Sequence, residues 1–160
     1  AISADLGYDV GVLTYNYPGT FPAGFTKPDT TEVYGALSWK WLSAKYSYST
    51  TNLFGALTQT GGKTTGSGYL DLTGSFDLGD GLGLVAHVGN QSVKGFSAAS
   101  YTDWKLGVTK DVGLGTVGLA LLGTHAKDSC AKGEFYCFAA PAGGYSAGKS
   151  RALLTFGKTF

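Results

Sequence analysis

The chain has 160 residues, with 26 Gly, 14% aromatic and 14% charged residues, no Met and a formal net charge of +1. A hydrophobic share of 43% excludes a disordered chain, aperiodic Gly with only 4 Pro excludes collagen, and scarce helix formers argue against a helical bundle. The near-neutral balance gives nucleic acid no electrostatic footprint, which leaves a single turn-rich β domain over residues 1–160.

Residues 1–6 carry neither a basic start nor an apolar run, so a signal peptide is expected to have been removed or never present. Nowhere does the chain hold the ~18 consecutive apolar residues of a membrane helix. Period-two alternation then recurs along almost the whole sequence. Leu6, Tyr8, Val10 and Val12 alternate with Gly7, Asp9 and Gly11; Val33, Leu37, Trp39 and Trp41 face away from Glu32, Ser38 and Lys40. Ala44, Tyr46 and Tyr48 oppose Ser43, Lys45, Ser47 and Ser49, and Leu70, Leu72, Phe76 and Leu78 oppose Tyr69, Asp71, Thr73, Ser75 and Asp77. Leu82, Leu84, Ala86 and Val88 oppose Gly83, Val85, His87 and Gly89; Thr102, Trp104, Leu106 and Val108 oppose Tyr101, Asp103, Lys105 and Gly107. Val117, Leu119 and Leu121 mark a segment apolar on both faces, and Ala152, Leu154 and Phe156 alternate with Arg151, Leu153 and Thr155.

Eight strands are therefore predicted, and their charges fall on one face only. A soluble sandwich or lipocalin-like barrel would turn that face to water, whereas a membrane barrel would turn it to the lumen and its apolar face to lipid. The connections favour the second arrangement. Loops 18–30, 50–68, 91–100 and 126–150 alternate with turns at 42–43, 79–81 and 111–115, the long-and-short rhythm of an outer-membrane up-and-down β-barrel. Trp39, Trp41, Phe76 and Trp104, near strand ends on the apolar face, together with Phe156 and Phe160, fit an interfacial aromatic girdle. The terminal run from Leu154 to Phe160 looks like the C-terminal signal by which such barrels are handed to the bacterial barrel-assembly machinery; Lys158, at a position usually apolar there, can snorkel.

The segments Gly7-Tyr8-Asp9-Val10-Gly11-Val12 with Tyr15 and Tyr17-Pro18, Thr31-Glu32-Val33-Tyr34-Gly35 and Lys45-Tyr46-Ser47-Tyr48-Ser49, followed by Tyr69-Leu70-Asp71, Ala86-His87-Val88-Gly89 and 101–108, resemble in order the TorF family of proteobacterial porins. The match covers about residues 5–107. It implies a transmembrane β-barrel in the bacterial outer membrane that passes small hydrophilic solutes. Members of that family carry further strands ahead of the Gly-Tyr-Asp segment, so this chain is either a complete eight-stranded barrel or part of a larger one of about twelve strands.

Asp9, Glu32, Lys40, Lys45, Asp71, Asp77, His87, Asp103, Lys105 and Arg151 are the candidate lumen-lining polar network. In eight strands they would fill the interior as ion pairs; about four added strands would leave a narrow aqueous lumen of weak cation preference. His87 is expected level with Asp71 and Thr73, but no Ser is placed as a third member, so enzymatic activity is not expected. No motif asks for a cofactor or a metal. Cys130 and Cys137 fit a small disulfide-closed loop better than a metal site, and the surrounding 126–150 loop, with Phe135, Tyr136, Phe138 and Tyr145, is expected to pack over the barrel mouth. Two functions stay open: a passive diffusion porin, and a non-conducting structural or interaction barrel that presents its loops outward. Lipid and the assembly machinery are the expected partners, with exposed Tyr and Trp permitting homo-oligomers.

Overall fold

The computed structural model describes residues 5–140 and 143–159. Its strands are β1 (Leu6–Tyr15), β2 (Thr30–Trp39), β3 (Leu42–Ser49), β4 (Gly68–Asp77), β5 (Leu82–Ser92), β6 (Tyr101–Asp111), β7 (Thr116–His125), β8 (Cys137–Ala140), β9 (Gly143–Ser146) and β10 (Arg151–Gly157). The fold is thus all-β and antiparallel. Eight strands form one sheet in the order β1-β2-β3-β4-β5-β6-β7-β10, while β8 and β9 pair as a separate hairpin inside the last long connection. That hairpin was expected as loop, because its short strands show no alternation of polarity.

From β1 to β7 each strand pairs with the next in the chain, and β10 follows β7 across the inserted β8–β9 hairpin. Glycines supply the left-handed backbone that the β4–β5 turn needs: Gly79 and Gly81 have φ of 84° and 71°, with Asp80 between them at 50°. The β2–β3 turn makes the same demand of Lys40, at φ 52°. Here the alternation misleads, since β2 stops at Trp39 and Lys40 leaves the polar face for the turn, its ammonium 5.2 Å from the centre of the Trp39 ring. Trp41 lies in the same turn and stacks on Phe76 at 4.7 Å.

Burial is inverted relative to a water-soluble sandwich. Among the described residues the buried apolar ones are Leu53, Val93 and Ala99, whereas Val10, Leu37, Leu106, Leu121 and Leu154 are among many large apolar side chains left exposed, Leu154 at 73%. The most deeply buried side chains are small and polar: Thr30, Ser49, Thr64 and Ser67. They gather where the 50–67 segment folds back on the sheet. Thr64 Oγ1 accepts from Leu53 N at 3.0 Å and donates to Ala56 O at 2.7 Å, and Asn52 Oδ1 accepts from Thr64 N at 3.0 Å. Each buried group of this knot therefore has a partner, as burial requires.

The polar face is concave. Leu13, Tyr15, Glu32, Lys45, Tyr69 and Tyr101 border one cavity of about 300 Å3. β2 and β6 are four strands apart, ~19 Å in a flat sheet, so a shared cavity requires strong curling. Among the described residues the ring is not closed: β1 pairs with β2 and β10 with β7, and no ladder joins β1 to β10. The start of β1 and the end of β10 lie at the same end of the sheet, since Leu6 is opposite Trp39 and Gly157 opposite Thr116, beside the short turns.

Candidate functional site on the concave face

Register gathers most of the polar set into two adjacent rungs. One runs Asp9, Ala36, Lys45, Asp71, Gly89, Asp103, Thr124 across β1 to β7. The next runs Gly7, Ser38, Ser43, Thr73, His87, Lys105, Leu122, Arg151 across all eight strands of the sheet. Glu32 lies nearer the long loops, opposite Leu13, and Asp77 nearer the short turns, opposite Gly83. Lys40, in its turn, belongs to neither.

At the centre of the two rungs stands His87. Its Nε2 is 2.9 Å from Asp103 Oδ1 on β6, and its Nδ1 is 3.0 Å from Thr73 Oγ1 and 3.4 Å from Asp71 Oδ1 on β4. Thr73 donates to Asp71 at 2.7 Å, and Tyr69 donates to Asp103 at 3.1 Å. With those hydroxyl protons committed to carboxylates, the imidazole is held between oxygen atoms of β4 on one side and of β6 on the other. Tyr69 reaches Asp103 by lying across Gly89, where a Cβ would collide with the phenol and come 2.7 Å from Asp103 Oδ2. The expected Asp71–Thr73–His87 proximity is therefore present. Asp103 and Tyr69 complete it from the neighbouring positions, and no Ser is among the partners of His87.

The cations take other partners than the ion pairs expected of them. Lys45 lies 4.0 Å from the centre of the Tyr34 ring, and the Arg151 guanidinium lies over Tyr145. Lys27 pairs with Asp29 outside this face, while Asp71 and Asp103 turn their carboxylates to the His87 ring. Lys105 faces a cavity of about 630 Å3 together with Asp71, His87, Asp103, Tyr69, Tyr101 and Thr124. Lys105, Asp71 and Asp103 thus border open space rather than an interlocked filling of ion pairs.

Over the cavity lies the segment between β7 and β10, which contributes Ala126, Tyr136, Ala147 and Gly148 to its wall. Cys130 and Cys137 are joined in a disulfide with Cα atoms 5.0 Å apart, as their spacing suggested. Closing so short a loop stabilises by about 2 kcal/mol through the unfolded chain. Gly144 packs against the bridge, where a Cβ would come 2.6 Å from Cys130 Sγ. Tyr136 donates to Ala99 O at 2.6 Å, and burial pushes its phenol up to about 12. Nothing in the sequence pointed to Tyr136 over the other aromatics of this loop, because its position depends on the Cys130–Cys137 turn. Tyr69 and Tyr101, by contrast, were legible on the polar face of their strands.

The girdle residues Trp39, Trp41, Trp104 and Phe156 are exposed and Phe76 half-buried. Trp39, Trp41, Phe76 and Phe156 cluster toward the short turns, while Trp104 lies in the loop-side half of β6. Phe160, assigned both to the girdle and to the C-terminal signal, lies outside the described residues.

Fold and face pattern together define a curled antiparallel meander, apolar on its convex side and polar on its concave side. The chain belongs to a bacterial family of proteins of unknown function, Gcw_chp, whose family model matches residues 1–160. That match overturns the resemblance to the TorF porins, which rested on short motifs over residues 5–107, whereas the family match spans the chain. The motifs are those of strands with Gly, Tyr and Asp on alternating positions, a pattern that the physics of a two-faced sheet imposes widely. No curated protein and no solved structure matches the chain.

Proposed function

We propose that the protein is a β-barrel of the bacterial outer membrane through which small hydrophilic solutes diffuse passively. The observation that carries this reading is the inverted polarity: large apolar side chains cover the convex face, while the concave face holds charged and hydroxyl groups around open space. Lipid is the solvent in which such a convex face is stable. A spanning sheet must also be closed, because unpaired edge amides do not survive in hydrocarbon. β1 and β10 are therefore joined in the membrane, to each other or through further strands. Asp9, Glu32, Asp71, Asp77 and Asp103 outweigh Lys45, Lys105 and Arg151 on the inner side, which gives a weak preference for cations.

A second reading, a barrel that conducts nothing and presents its loops, is favoured by the disulfide-bearing segment lying across the larger cavity. Purified protein in planar bilayers decides between them. Stepwise conductance with a reversal potential displaced toward cation permeation supports the diffusion reading; a silent bilayer holding inserted protein abandons it for the second.

A further inference from the structure

We infer that the described residues 126–140 and 143–150, between β7 and β10, form a fixed cap over the inner cavity, with the Tyr136 ring as the element that sets which molecules reach the His87–Asp103 pair. The inference goes beyond the diffusion reading but borrows from it that the concave face is solvent-accessible.

The cap is anchored on two sides and tied together within itself. Toward the β5–β6 connection, Tyr136 donates to Ala99 O at 2.6 Å and packs edge-on to Tyr101, ring centres 5.7 Å apart. Ala99 belongs, with Leu53 and Val93, to the small buried apolar cluster, so the anchor point is among the best-packed parts of the molecule. Toward β7, Thr124 Oγ1 donates to Gly148 O at 3.3 Å. Within the cap, Tyr136 N donates to Lys127 O at 2.9 Å and Ala147 N to Tyr136 O at 3.0 Å, tying Tyr136 into both flanking stretches. Ser146 and Asp128 are hydrogen-bonded across the same gap.

The disulfide adjoins the gating residue directly. Cys137 follows Tyr136, and the bridge to Cys130 closes the turn from which the ring projects. Gly144 and Gly148 let β9 and the chain after it lie flat on this turn, since side chains there would strike the bridge and Asp128. The ring therefore has no slack. Tyr136, Tyr69, Tyr101, His87 and Asp103 all border the same cavity, so an object entering past the cap passes the Tyr136 ring before it meets His87 and Asp103.

Cysteine accessibility tests this without requiring conduction. Leu122→Cys places a reporter on the cavity wall, and Ser43→Cys places a control on the same rung away from the cap. The full chain in detergent micelles is reacted with a small methanethiosulfonate and with a bulky polymer-linked maleimide. The expected result is that the small reagent labels Leu122→Cys while the bulky one does not. Adding Tyr136→Ala, or Cys130→Ser with Cys137→Ser, admits the bulky reagent at a rate several-fold higher, and Tyr136→Phe, which keeps the ring, does not. Labelling of Ser43→Cys stays the same in every background, which rules out general unfolding as the cause. Equal bulky labelling with and without the Tyr136 ring overturns the cap, as does exclusion that persists in Tyr136→Ala. A gated reporter in a protein that passes no current removes the diffusion reading and leaves the cap standing.

Discussion

Gly89 is the residue on which the inner network turns. Its missing side chain leaves room for the Tyr69 phenol to cross β5 and bond Asp103, a close approach that no other residue type permits. Gly89→Ala is expected to displace Tyr69, uncouple it from Asp103 and destabilise the sheet by about 1–3 kcal/mol. Equilibrium unfolding in micelles measures this, with Gly157→Ala as a near-neutral control because nothing lies within 4 Å of a Cβ there. A Gly89→Ala protein as stable as the control would show that the Tyr69–Asp103 contact contributes nothing. The sequence made Asp71 and His87 legible as neighbours, since both lie on one face across a tight turn. It did not make Asp103 legible as the second carboxylate on His87, because the distance depends on the ring of a residue two strands away.

At the scale of the element, alternation was the most readable property of the chain, because side-chain direction in a strand is fixed locally and repeats every second residue. It failed at Lys40, where the turn began before the polarity pattern ended, and at β8 and β9, four-residue strands that pair with each other without two unlike faces. The convex face makes a prediction of its own. Leu106 lies mid-strand on β6 between Ala86 and Leu121 and is 51% exposed. In a bilayer Leu106→Arg would cost about 2–4 kcal/mol near the midplane, whereas on a water-facing sheet it would be nearly neutral. Reversible folding into lipid vesicles distinguishes these outcomes, and an unperturbed Leu106→Arg protein would remove the membrane assignment.

For the whole molecule, the decisive feature is the pair of outer strands. Sheet order and register followed from consecutive hairpins, but whether a sheet closes depends on contacts between its first and last strands, on which local patterning carries no information. If the protein spans a bilayer, the amides of residues 8–14 in β1 and 151–157 in β10 are expected to exchange in vesicles as slowly as those of β5. Hydrogen exchange followed by mass spectrometry reads this directly, and outer strands that exchange at the rate of the 18–29 connection would exclude a closed ring. The position of the two outer strands has a topogenic meaning as well. Eight strands of alternating direction bring the start of β1 and the end of β10 out on one side, beside the short turns. Were this sheet inserted into a bilayer as proposed, hairpin tips alone would cross it, with the start of β1 and the end of β10 left on the side of entry. The longest of those tips is the one between β7 and β10, and there the bond between Cys130 and Cys137 would decide whether it crosses as slack chain or as a folded knot.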